Sequence, residues 1–183
     1  IPNSKWSKEY YYGRNYKYDA GKLELLEFIP TASFLFPRKL VLDLPPFYYN
    51  CVYGDAPLKL FLASKGYAYY IDEVMSAYRT NVKGSVLYTQ RETIDKRIKG
   101  HMSYLNMLDE FDEHTGGKYS KEISESKLKR EIKILMLQNN LNELKQEKYK
   151  PYYKTLKFET KIKIHYKYYL EKFKEKLSIE KVM

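Results

Sequence analysis

The sequence predicts an α/β layer of two or three short strands followed by a C-terminal helical region, on three observations. Short apolar runs of strand length, Ser33–Phe36, Tyr67–Ile71 and Val74–Tyr78, lie between Pro, Gly and acidic punctuation. After Glu92 the apolar residues recur at spacings of three and four, the period of a helix with one buried face. Apolar residues are 44% of the 183, enough for a core, and charged residues are 31%, which requires long solvated faces.

Residues 1–28 read as a polar, Tyr- and Lys-rich linker, with Leu23, Leu25, Leu26 and Phe28 forming a short helix ended by Pro30. Ser33–Phe36 is expected as a buried strand stopped by Pro37, and Arg38–Leu44 as one or two helical turns closed by Pro45 and Pro46. Gly54-Asp55-Ala56-Pro57 has the grammar of a helix start, an acidic residue at the N-terminus and Pro in the first turn. Leu58, Phe61 and Leu62 continue that helix to Gly66. Two strands follow, Tyr67–Ile71 and Val74–Tyr78, then a small and polar loop over Thr80–Val86. Ile94, Ile98, Met102, Leu105 and Leu108 mark the buried stripe of the next helix, which Gly116-Gly117 breaks. Leu128, Ile132, Leu135 and Met136 mark another, interrupted by Pro151, and Ile162, Tyr166, Tyr169, Leu170, Phe173 and Leu177 a third. The domain reading is therefore 1–28, 29–88 and 89–183, with a basic tail from about Lys145.

The net charge of +10 is concentrated at one end. Residues 145–183 hold twelve Lys and five Glu, a net of +7. Cys51 is the sole cysteine, so no internal disulfide forms and a reducing, cytoplasmic compartment is expected. No apolar run approaches the length needed to cross a bilayer as a helix, no signal peptide is visible within the sequence, and the start at Ile1 rather than Met leads to the expectation of a fragment.

Three pieces, in order, resemble the second half of the catalytic domain of bacterial family 2 glycosyltransferases. Ile29-Pro30-Thr31-Ala32-Ser33 with Phe36-Pro37-Arg38 is similar to the family's strand and turn beside the acceptor. Gly54-Asp55 opening a helix is similar to its catalytic-base motif. Tyr70-Ile71-Asp72-Glu73-Val74 running into Tyr78-Arg79 is similar to its closing strand and donor-facing loop. The resemblance spans Ile29–Val86 and departs from the family where Ala56 replaces a common aromatic residue and Asn81 a common His.

That resemblance implies an incomplete GT-A-like half domain and an inverting transfer of sugar from a nucleoside-diphosphate sugar to a glycan or lipid-linked acceptor, in cell-surface polysaccharide synthesis. It implies Asp55 as the base that takes the acceptor hydroxyl proton, and Arg79 and Lys83 as contacts to the donor diphosphate. Thr31 and Ser33 would line the acceptor site. The family's nucleotide-binding half, with its Asp-x-Asp-like cation ligands, has no counterpart before Ile29. A divalent cation (Mg or Mn) is expected in the full enzyme and none on this chain alone, which is expected to be inactive by itself.

Each residue also has a plainer reading. A carboxylate at a helix start satisfies free backbone N–H groups and stabilises the helix by about 1 kcal/mol. Arg79 could pair with Asp72 or Glu73, Lys83 could be an ordinary exposed lysine, and Thr31 and Ser33 could simply pack. His101, His114 and His165 show no metal-ligand spacing, and Cys51 has no neighbouring His, so core or surface roles are expected for them.

The tail interleaves its lysines with Tyr149, Tyr152, Tyr153, Phe158, Tyr166, Tyr168, Tyr169 and Phe173. The plainest expectation is a solvated amphipathic helix docked on the preceding half. A second is peripheral contact with the inner face of an anionic membrane. Nucleic acid is disfavoured, because the tail carries no Arg. A non-enzymatic basic helical adaptor, binding membrane or nucleic acid, is the alternative function.

Overall fold

Helix-forming periodicity outweighs the short strand-like runs in the computed structural model, which describes residues 16–25, 31–71 and 82–180. The predicted α/β layer is overturned: the described residues are mostly helical, and strand structure is confined to one antiparallel pair of three-residue segments. The chain divides into two compact units, Ile1–Lys127 and Leu128–Met183.

In the first unit, strand β1 (Tyr16–Tyr18) runs into helix α1 (Ala20–Leu25). Two 3-10 turns follow, Thr31–Ser33 and Arg38–Val41, then α2 (Pro46–Asn50), α3 (Asp55–Ser64) and strand β2 (Ala68–Tyr70). Helices α4 (Val86–Arg91) and α5 (Ile94–His114) come next, and α6 (Ser120–Leu137) contains the division between the units. Helix α3 packs on α1, and α2, α3 and α4 all pack on α5.

Three expectations for this unit need correction. The predicted strand Ser33–Phe36 is a 3-10 turn followed by irregular chain, and Leu35 within it is fully exposed. Pro37 fixes its own φ and donates no hydrogen bond, so the short run cannot extend into a ladder and has no sheet face to bury. The predicted strand Tyr67–Ile71 does contain β2, but its partner is β1, in the segment read as linker, with Tyr16 opposite Tyr70 and Tyr18 opposite Ala68. Val74–Tyr78 lies outside the described residues. On α5, Leu105 and Leu108 are buried as predicted and Ile98 is half-buried, but Ile94 and Met102 are exposed, and Gly100, Tyr104, Met107 and Phe111 complete the buried face, so the predicted stripe holds only along the second half of the helix.

The helix ends follow local chemistry. Thr93 caps α5 by accepting from the Lys96 N–H at 3.1 Å. At the other end Gly116 (φ 62°) and Gly117 (φ 77°) supply the left-handed turn, with Gly117 N–H bonded to Asp112 O (2.9 Å) and Gly116 N–H to Glu113 O (3.0 Å). That pair is the glycine stop the sequence predicts.

The core of the first unit is aromatic. Phe47 meets Phe111 edge-on at 5.6 Å and Phe61 at 6.5 Å, and Phe111 stacks on Tyr119 at 6.0 Å. Leu60, Met107 and Leu108 are fully buried around them, and Ala68 and Tyr70 of β2 pack against the cluster.

The second unit joins the end of α6 to α7 (Leu141–Leu144), α8 (Lys150–Thr155) and α9 (Phe158–Glu180). The break in the helical run comes at Asn139 (φ 52°) and Asn140, which caps α7 by accepting from the Glu143 N–H, while Pro151 sits in the first turn of α8. Ile132, Leu141, Leu144, Tyr149 and Ile164 form the core, with Leu156 and Tyr168 packed against it. Glu131 receives both the Lys148 ammonium (2.7 Å) and the Tyr149 hydroxyl (3.1 Å).

Candidate functional site

The helix start at Gly54-Asp55 is positioned by what lies on either side of it. Upstream, the loop from α2 to α3 is tied to α5. Asn50 donates to both oxygens of Glu110 (3.2 and 3.0 Å), and the Ser103 hydroxyl accepts from Val52 N–H (3.1 Å). Downstream, Ala56, Pro57, Leu60 and Phe61 are buried, so the helix cannot rotate without opening the core.

Asp55 opens α3, as the motif predicts, as its first helical residue, and Gly54 takes the N-cap position. Its side chain is half-buried, and Oδ1 accepts the Ala56 N–H at 3.0 Å. A carboxylate there satisfies an orphan backbone donor and complements the positive end of the helix.

The other predicted residues occupy separate segments. Thr31 and Ser33 are exposed on the first 3-10 turn, where Thr31 O accepts the Phe34 N–H at 3.1 Å. Lys83 is exposed on a turn closed by Ser85 N–H to Val82 O (3.0 Å), in which Gly84 takes φ 84°. That turn feeds α4, whose N-cap Ser85 accepts from Tyr88 N–H. Arg79 lies outside the described residues.

Among the described residues no group of three or more His, Cys, Asp or Glu side chains could hold a metal ion. The described residues therefore do not fit a divalent cation. His114 lies against the rings of Phe47 (5.3 Å) and Phe61 (6.1 Å). His165 shares a 2.7 Å hydrogen bond with the Tyr153 hydroxyl. Both are packing roles. Cys51 is half-buried beside the first core.

Sequence reasoning missed Ser103 and Glu110, the two side chains that anchor the approach to Asp55. They are more than fifty positions from Val52 and Asn50, and nothing in local periodicity or motif marks such a pairing. No protein family, characterised protein or solved structure matches this chain. No helix among the described residues is long and apolar enough to cross a membrane.

Proposed function

We propose that this chain is part of an inverting glycosyltransferase in which Asp55 is the general base. The observation that carries the reading is local. Gly54-Asp55 opens helix α3, the helix closes just before Gly66, and strand β2 leads directly into the Asp72–Arg79 segment. The three motif segments thus follow one another in the sequence, and the middle one is reached by a loop anchored to α5. The support is the order of those segments in the sequence and the helix start at Asp55; the first segment is a 3-10 turn and not the expected strand, and no α/β layer is involved.

In this reading Asp55 takes the proton from an acceptor hydroxyl. The oxygen attacks the anomeric carbon, and the bond from that carbon to the diphosphate oxygen breaks. The nucleoside diphosphate leaves with the electron pair, and the configuration inverts. A carboxylate has two oxygens, and accepting the Ala56 N–H at Oδ1 is compatible with proton transfer at the other. Arg79 and Lys83 would offset charge on the departing diphosphate, and Thr31 and Ser33 would face a saccharide or lipid-linked acceptor.

The same Ala56 bond is what a helix-starting aspartate makes for structural reasons alone, so the test must separate the two. In the enzyme containing this chain, Asp55→Asn keeps an acceptor oxygen for Ala56 N–H but cannot take a proton. Turnover is expected to fall by about 10²-fold or more, with donor affinity and thermal midpoint nearly unchanged. Unchanged turnover ends the base assignment.

A further inference from the structure

Among its described side chains, helix α9 carries two apolar faces, and one of them packs into the core of its own unit. Ile164 and Tyr168 pack into the second core. On the other side Phe158, Ile162, Tyr166, Tyr169 and Phe173 recur at spacings of four, four, three and four, a single stripe along the helix. Phe158 is 76% exposed, Tyr166 66% and Phe173 61%. At 1.5 Å per residue the stripe is roughly 22 Å long. It shares Ile162, Tyr166, Tyr169 and Phe173 with the apolar stripe that the sequence predicts for the tail, and all four are exposed.

Lysines flank it on both sides. Lys163 lies beyond one edge, outside Glu159 and Leu170, with Lys167 further round the helix, and Lys172, which precedes Phe173 by one, lies beside the other edge. All three are exposed.

We propose that this face of α9 seats on an anionic lipid surface. In that pose the stripe enters the boundary between headgroups and acyl chains, and the lysine stems extend on either side of it. Their ammonium groups then reach the lipid phosphates. Tyr166 and Tyr169 suit this depth, because a phenol ring has an apolar body and a polar tip. A nucleic-acid duplex offers phosphates but keeps its bases stacked inside, with nothing to bury the stripe, and the bases of a single strand could stack on the rings but offer Ile162 no apolar partner. A second copy of α9 would bring lysine rows against lysine rows, a like-charge arrangement that disfavours pairing. The inference is independent of sugar transfer, and its failure would leave Asp55 untouched.

The test is co-flotation of the 183-residue chain with vesicles of phosphatidylglycerol and phosphatidylethanolamine, against vesicles of phosphatidylcholine alone. Binding is expected to the anionic vesicles and to weaken with salt. Lys163→Gln with Lys167→Gln should lower the partition coefficient roughly thirtyfold. Ile162→Asp with Phe173→Asp should abolish binding with helical circular dichroism retained. If the aspartate pair fails to fold, the glutamine pair, both at exposed positions, still decides the question. Absence of flotation, or flotation unchanged by the glutamine pair, overturns the proposal. So does a lipid-free dimer that the aspartate pair converts to monomer, since the stripe then belongs to a second copy.

Discussion

The two units build their cores from opposite kinds of contact. In Ile1–Lys127 the central rings come from α2, α3 and α5, with Phe47, Phe61 and Phe111 meeting across long stretches of chain. In Leu128–Met183 the core runs from Ile132 to Ile164 and is largely aliphatic, each contributor close in sequence to the next. The first unit gains interlocking aromatic pairs, each worth about 0.5–1.5 kcal/mol beyond its buried area. The second gains cheap loop closure, since short connections cost little entropy. Long-range aromatic packing fixes a unique arrangement, whereas a short helical hairpin tolerates the exposed face on α9.

The difference is largest at the two core centres. Phe111 is fully buried and touches both Phe47 and Tyr119. Phe111→Ala should destabilise the first unit by about 3–5 kcal/mol, against about 2–5 kcal/mol for Leu144→Ala in the second. Denaturant titration with amide hydrogen exchange reads each unit separately. Loss of protection confined to the unit mutated is the expected outcome. Loss across both units from either variant would show one cooperative block and dissolve the distinction.

What could be read from sequence follows the same divide. Features set by neighbours in the chain were legible: the start of α3 at Asp55, the Gly116-Gly117 stop, and the helical region after Glu92. Features set by distant partners were not. Tyr67–Ile71 is strand-like by itself, but the β1 partner Tyr16–Tyr18 sits in a polar stretch with no periodicity to expose it. On α5, the predicted Leu105 and Leu108 are buried, but Ile94 and Met102 are exposed and Tyr104, Met107 and Phe111 share the buried face instead. The choice is made by α2 and α3 packing there. The same held for the site: Asp55 announces its position, whereas the Ser103 and Glu110 anchors depend on tertiary contact.

Capping offers a smaller and sharper comparison, between the side-chain N-cap of α5 in the first unit and that of α7 in the second. Thr93 accepts from Lys96 N–H at 3.1 Å, and Asn140 accepts from Glu143 N–H at 3.2 Å. Replacement by Ala should cost about 1 kcal/mol at either site. Helix α7 spans only Leu141–Leu144, so Asn140→Ala removes its one side-chain cap while both of its buried leucines remain. Thr93→Ala should only fray the first turn of the long α5. Hydrogen exchange at Leu144 and at Tyr104 distinguishes these outcomes: protection at Leu144 falls with Asn140→Ala, and protection at Tyr104 survives Thr93→Ala. Equal losses at both positions would mean that α7 is no more dependent on its cap than α5.

The smallest expected effect is a pH dependence confined to the second unit. The hydrogen bond to Glu131 holds the Lys148 ammonium above its ordinary 10.5, despite partial desolvation, and burial pushes the Tyr153 phenol above its ordinary 10.0. In both cases the folded state keeps its proton after the unfolded chain has lost it. The stability each contributes is complete below the unfolded value and declines as pH rises through the folded one. The window therefore opens near pH 10 for Tyr153 and near 10.5 for Lys148. The Lys148 side chain is 59% exposed, so solvent screening keeps its share to a few tenths of a kcal/mol. Urea midpoints measured from pH 9 upward should fall more steeply in the parent than in a Lys148→Gln, Tyr153→Phe variant. Tyr153→Phe also removes the bond to His165, which lowers the baseline at all pH values; the slope above pH 10, and not the midpoint itself, carries the comparison. Parallel slopes would show that neither proton is held more tightly in the folded second unit than in the unfolded chain.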